Sequence, residues 1–145
     1  MEKLEFYSSN IFLVNVIISY FYKNYIYVLL FFTLWITSLM VHSNDNIYTN
    51  SIDKASILLV VLYGGSLFYK KSKLSILENY EKDKIIHNLS MILLVISTFL
   101  LTIYLYCFGY IYNEYCFYKE REISKLWHSY MHFVGSFGHI CILLF

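Results

Sequence analysis

Charge is scarce in this chain: only 14% of its 145 residues are Asp, Glu, Lys or Arg, proline is absent, and 59% are hydrophobic. So little polar surface excludes a soluble globule of this size, and lipid must be the solvent for most of it. The charges nearly balance at a formal +1 and form no basic tract of the kind nucleic-acid binders carry, so nucleic acid is not an expected partner. The three cysteines, Cys107, Cys116 and Cys141, make no CxxC pair, which excludes a readable thiolate zinc site or redox motif. They are expected to pack as small apolar groups. No small-residue cleavage site follows the first apolar run, so that run is expected to remain as a span rather than leave as a signal peptide.

Long apolar runs are what the chain does contain. An apolar helix of about 17 residues or more crosses a hydrocarbon core of roughly 30 Å, and five such segments lie in tandem, at about 6–22, 25–42, 53–69, 85–112 and 126–145. The expected fold is all-α, a single polytopic transmembrane bundle of about five spans. The first two runs are read as separate helices meeting at Lys23, because one helix of roughly 37 residues at 1.5 Å each would far exceed the bilayer. Ser43 to Ile52 is polar and read as a connection, with Asp53 in the first turn of the third helix, complementing its macrodipole. Lys70 to Lys84 carries five lysines and is read as a solvated loop or surface helix. The positive-inside tendency assigns this stretch to the cytoplasm.

Ionisable groups inside membrane helices cost about 2.5–3.5 kcal/mol each on insertion scales, so they tend to face the bundle interior and mark function. Counting spans places His42, at the end of the second, Asp53, at the head of the third, and His128 and His132, early in the last, on one membrane face. One helical turn separates His128 from His132, so their imidazoles project from the same side. With His42 they make three neutral nitrogen ligands, the donor set of a catalytic zinc site with an open fourth position. Ser38, one turn before His42, is placed to donate to an oxyanion or to hold the site's water. The bland alternative stays open on the residues alone, since histidines near helix ends also serve as interfacial or capping groups. His87 is read as interfacial and His139 as a helix-packing polar residue. Gly64, Gly65, Gly135 and Gly138 are read as permitting close helix approach.

The ordered set Ser38-x3-His42, Asp53 eleven residues later, and His128-x3-His132 near the end resembles the signature of the CREST superfamily. That group contains alkaline ceramidases, progestin and adiponectin receptors, and GPI-anchor remodelling lipases. The spacing from His42 to Asp53 is most similar to that of the ceramidases. The run from Tyr25 to Tyr63, the final stretch Leu126 to His132 with Gly135 and Gly138, and, loosely, Glu5-Phe6-Tyr7-Ser8-Ser9-Asn10 are also similar. The resemblance covers roughly 5–69 and 124–145. It implies Zn2+ bound by His42, His128 and His132, Asp53 as the acid/base partner, and Ser38 as an oxyanion or positioning group. The implied activity is hydrolysis of a membrane lipid amide or ester, with a ceramide-like lipid as first expectation. A remodelling lipase or receptor-like member of the same superfamily is the alternative, and a non-catalytic scaffold or subunit is another.

One departure from the family pattern matters. Superfamily members have seven helices, whereas here one apolar segment stands where they have three. Losing two helices preserves the parity that brings the last histidines to the site, but it thins the cavity wall, which a homodimer or a partner subunit would complete. The acidic cluster associated with calcium in ceramidases is reduced to Glu2 and Glu5, so no calcium site is expected. The resemblance also suggests the endoplasmic reticulum or another endomembrane.

Overall fold

The computed structural model describes residues 4–78 and 82–145. It is an all-α bundle, and among the described residues four helices are long and apolar enough to cross a membrane. In chain order the elements are α1 (Leu4–Ser8), α2 (Ile11–Phe21), α3 (Tyr25–Ser43), α4 (Ile47–Glu78), α5 (Lys82–Ile103), a π-helical turn (Tyr104–Phe108), α6 (Gly109–Tyr112), a 3-10 turn (Tyr115–Phe117) and α7 (Arg121–Leu144). The four apolar rods are α1 with α2, then α3, then α4, then α5 continued through α6. The fifth rod, α7, is long enough at 24 residues, but its histidines and serines dilute its apolar character.

The chain reverses between α2 and α3 without proline or glycine. Lys23 takes the left-handed conformation at φ 56°, and the Asn24 amide reaches back to the Ser19 carbonyl at 2.9 Å, closing the helix end as a left-handed C-terminal cap does. Asn24 then starts α3, its side-chain oxygen accepting from the Tyr27 amide at 3.1 Å and from the Tyr63 hydroxyl at 2.9 Å. One asparagine thus caps a helix and ties it to α4.

Two expected boundaries are corrected. The polar stretch 43–52 is not a ten-residue connection, because Asn46 caps α4 early: its side-chain oxygen accepts from the amides of Tyr48 (3.0 Å) and Thr49 (3.1 Å), and Thr49 Oγ1 accepts from the Asn46 amide (3.1 Å). This reciprocal arrangement satisfies otherwise orphaned donors and lets polar residues open the helix. Asp53 is therefore nearly two turns inside α4, and the first-turn macrodipole role does not apply to it. At the other end the third helix outruns its expected limit at 69, and the lysine-rich stretch, read as a solvated loop or surface helix, is largely helical. α4 continues to Glu78, α5 begins at Lys82, and 79–81 lie outside the described residues. At 32 residues and 1.5 Å per residue, α4 is about 48 Å long, so it overreaches a hydrocarbon core of roughly 30 Å.

α3 packs between α2 and α4, and α7 closes the bundle against α1, α2, α4 and α5. The core is Phe12, Tyr27, Phe31, Leu34, Val60 and Leu143, with a second cluster of Val95, Cys141 and Ile142. Polar pairs fix the register of α7. Asn15, fully buried on α2, donates from Nδ2 to the Ser136 carbonyl at 3.0 Å, and Ser136 Oγ donates to Asn15 Oδ1. Lys71 Nζ on α4 donates to the Leu143 carbonyl at 2.9 Å, satisfying one of the last carbonyls of α7.

The expectation for the glycines holds for only two of the four. A Cβ at Gly64 would lie 2.5 Å from His139 Cε1, and one at Gly138 would lie 2.5 Å from Thr98 Oγ1, so both are points of close helix approach. Gly65 and Gly135 have nothing within 4 Å of such an atom and carry no packing demand.

Candidate functional site

The start of α7 turns a polar stripe inward. Lys125, Ser129, His132 and Ser136 are buried on it, at the i, i+4, i+7, i+11 spacing of one helix face, and His128 lies beside them. His42 meets this stripe from the last turn of α3. The nitrogen atoms that His42, His128 and His132 can offer all lie within 4.8 Å of one another. Ring centroids are 4.7 Å apart for His128 and His132, 5.2 Å for His42 and His128, and 5.5 Å for His42 and His132. His132 is buried, and His42 and His128 are half-buried.

Two serines outside the expected site residues enter here, Ser8 behind His132 and Ser9 beside Ser38. Ser8, the last residue of α1, bonds to His132 Nδ1 at 2.9 Å, and its hydroxyl also donates to the Glu5 carbonyl at 2.9 Å. A carbonyl can only accept and a hydroxyl has one proton, so the bond to the imidazole runs from Nδ1–H to Ser8 Oγ. This network assigns His132 the Nδ1–H tautomer and leaves a lone pair on Nε2. Phe12 closes over the same ring, with centroids 5.2 Å apart.

The same logic fixes Ser38. Ser9 Oγ donates to the Glu5 carbonyl at 2.9 Å and lies 2.8 Å from Ser38 Oγ, so Ser38 is the donor to Ser9. Ser38 is buried at 2% exposure one turn before His42 on α3, and with its proton given to Ser9 it has acceptor lone pairs left. That arrangement suits holding a water and not donating to an oxyanion.

Asp53 is half-buried and stands outside the three-histidine cluster. Its Oδ1 accepts from Thr37 Oγ1 at 3.0 Å, which fastens α4 to the residue preceding Ser38. His87 and Glu114 are exposed and His139 lies deeper on α7, so none of these belongs to the cluster. Ser8 and Ser9 were visible in the sequence only as part of the loose Glu5-to-Asn10 stretch. Their roles depend on contacts across 124 and 29 residues, which no local pattern announces.

Below the cluster lies a cavity of about 410 Å³, within the size range of small-molecule pockets. Its wall is almost wholly apolar, with Phe31, Leu34, Val60, Phe99 and Met131 among its residues, and His132 and His139 line it as well. Consecutive helices α4 and α5, which both line the cavity, touch at few places.

Three imidazole nitrogens this close form a set that one transition metal ion can bridge. His42, His128 and His132 would be the residues to hold such an ion, and His132 is already held by Ser8. No family model, curated protein or solved structure matches the chain.

Proposed function

We propose that this membrane protein is a zinc-dependent hydrolase that cleaves a lipid amide or ester within the bilayer, with a ceramide-like lipid as the first candidate substrate. The observation that carries this reading is the three-histidine cluster, backed by Ser8 at His132 and opening on an apolar cavity. His42, His128 and His132 would hold the ion. Zinc in such a site supplies an activated water at neutral pH and polarises a carbonyl oxygen.

The chain's own residues supply the rest. Ser8 keeps His132 in the tautomer that presents Nε2, as groups behind metal-binding histidines commonly do. Ser38, accepting through its free lone pairs, orients the attacking water. Asp53, tied to α3 by Thr37 Oγ1, would be the acid/base group, taking a proton from the attacking water and passing it to the leaving amine or alkoxide, first as general base and then as general acid. The cavity holds the acyl chain and excludes water around it. The sparse α4–α5 seam admits a chain laterally from the bilayer, so the substrate need never cross an aqueous phase. The lysine-rich ends of α4 and α5 face the cytoplasm on this reading.

Zinc content of detergent-purified protein, wild type beside His128→Ala and His132→Ala, tests it. About one zinc per chain, lost in both variants, with turnover of a lipid amide or ester by the wild type alone, is the expected result. Folded wild type without metal would overturn the hydrolase and leave a non-catalytic scaffold or subunit.

A further inference from the structure

His139 lies seven residues beyond His132 on α7, which is two helical turns or about 10 Å along the helix. It lines the same cavity. Its Nδ1 is 2.8 Å from the hydroxyl of Tyr27, a side chain with no exposed surface. The Tyr27 hydroxyl has no other partner among the described residues, and leaving a buried O–H unpaired is costly. Tyr27 is therefore the donor, and the proton of the neutral imidazole sits on Nε2.

The ring's orientation follows from its neighbours. Gly64 has no side chain, so the Cε1–Nδ1 edge of His139 can press against α4. Phe31 meets the ring edge-on, with centroids 5.3 Å apart. The edge left to the cavity is the one bearing Nε2. Fully enclosed polar side-chain atoms without a partner are Ser19, Ser72 and Ser129 among the described residues, so Nε2 keeps open space beside it.

We propose that His139 Nε2–H is a second recognition point in the cavity, about 10 Å from His132 along α7, and that it selects lipid chains carrying an oxygen acceptor within the chain, a hydroxyl, keto or ether group, over unsubstituted chains. An apolar cavity needs no such donor for a plain hydrocarbon, whose binding would leave it without a partner. This rests on the lipid-hydrolase reading for the orientation of the chain, reacting group at the histidine cluster and tail toward His139.

The test is displacement of a fluorescent fatty acid from the purified, folded protein by stearate and by a series of hydroxystearates whose hydroxyl is stepped along the chain. One hydrogen bond is worth about fivefold in affinity, so a mid-chain isomer should bind at least about fivefold more tightly than stearate. In His139→Phe, or in His139→Leu where that variant fails to fold, the preference should vanish while stearate affinity stays within about twofold. Equal affinity for every isomer in the wild type, a preference surviving the loss of His139, or no displacement by any acid would each overturn the proposal. The two readings fail separately. A His139-dependent preference in protein without turnover retains the pocket and rejects the reaction, and turnover without the preference does the reverse.

Discussion

The Ser8 hydroxyl stands 2.9 Å from His132 Nδ1 and gives its own proton to the Glu5 carbonyl, so one short N-terminal helix determines which nitrogen of a distant histidine is free. Removing the hydroxyl frees the tautomer and the ring. On the proposed zinc site, Ser8→Ala should weaken zinc binding about 10- to 100-fold, the usual effect of losing a group behind a metal-binding histidine, and Ser8→Thr should restore most of it. Competition with a chromophoric chelator measures both, and unchanged affinity in Ser8→Ala would detach α1 from the site.

Adjacent glycines on α4 should respond oppositely to alanine. Gly64→Ala would put a methyl group 2.5 Å from His139 Cε1 and 2.6 Å from the Tyr27 hydroxyl, and overpacking of this kind costs about 1–3 kcal/mol. Gly65→Ala meets nothing within 4 Å and gains about 0.5–1 kcal/mol from the helix preference of alanine. Thermal unfolding in detergent should therefore order the three chains as Gly65→Ala, wild type, Gly64→Ala.

Loss of the Asn15 amide should loosen α7. Asn15→Ala strips Ser136 Oγ of its acceptor in a fully buried site, at about 1–3 kcal/mol. The double variant with Ser136→Ala should be less destabilised than the sum of the two single variants, because neither orphan then remains. A double-mutant cycle that sums without coupling would contradict the pairing.

Lys23 holds φ at 56°, where a residue with a Cβ is strained by about 1–2 kcal/mol. Lys23→Gly removes that strain but also increases the freedom of the unfolded chain, which offsets up to about 1 kcal/mol. A small net stabilisation, visible as a higher melting temperature without change in zinc content, is expected.

The sequence alone revealed the bundle and the shared end of its histidines, because both follow from counting apolar runs and their parity. Tyr25–Ser43 coincides closely with the expected 25–42 run, its start set by the local signals Lys23 and Asn24. Helix α4 escaped that reading at both ends. Its polar first turns look like a loop until the Asn46 cap is known, and its lysine-rich tail is polar helix that hydropathy cannot tell from a connection. Asp53 was accordingly given a helix-end role, when its observed anchor is Thr37 on another helix. Asn15 with Ser136, Ser9 with Ser38, Ser8 with His132 and Tyr27 with His139 all join distant segments, and single-chain periodicity carries no information about such pairs.

The polar stripe of α7 has a consequence for how the protein is made. Four rods are long and apolar enough to cross a bilayer, whereas α7 carries His128, His132, His139 and three serines on a helix of 24 residues. A histidine or serine facing lipid is left without a partner, a penalty that Ser8, Asn15 and Tyr27 remove for His132, Ser136 and His139 only once α7 is in place. Insertion of α7 is thus conditional on partners already assembled, and the residues that build the site are those that deprive this helix of autonomous entry. Biogenesis and function place opposing demands on the same 24 residues, and the bundle reconciles them by serving as the template for its own final helix.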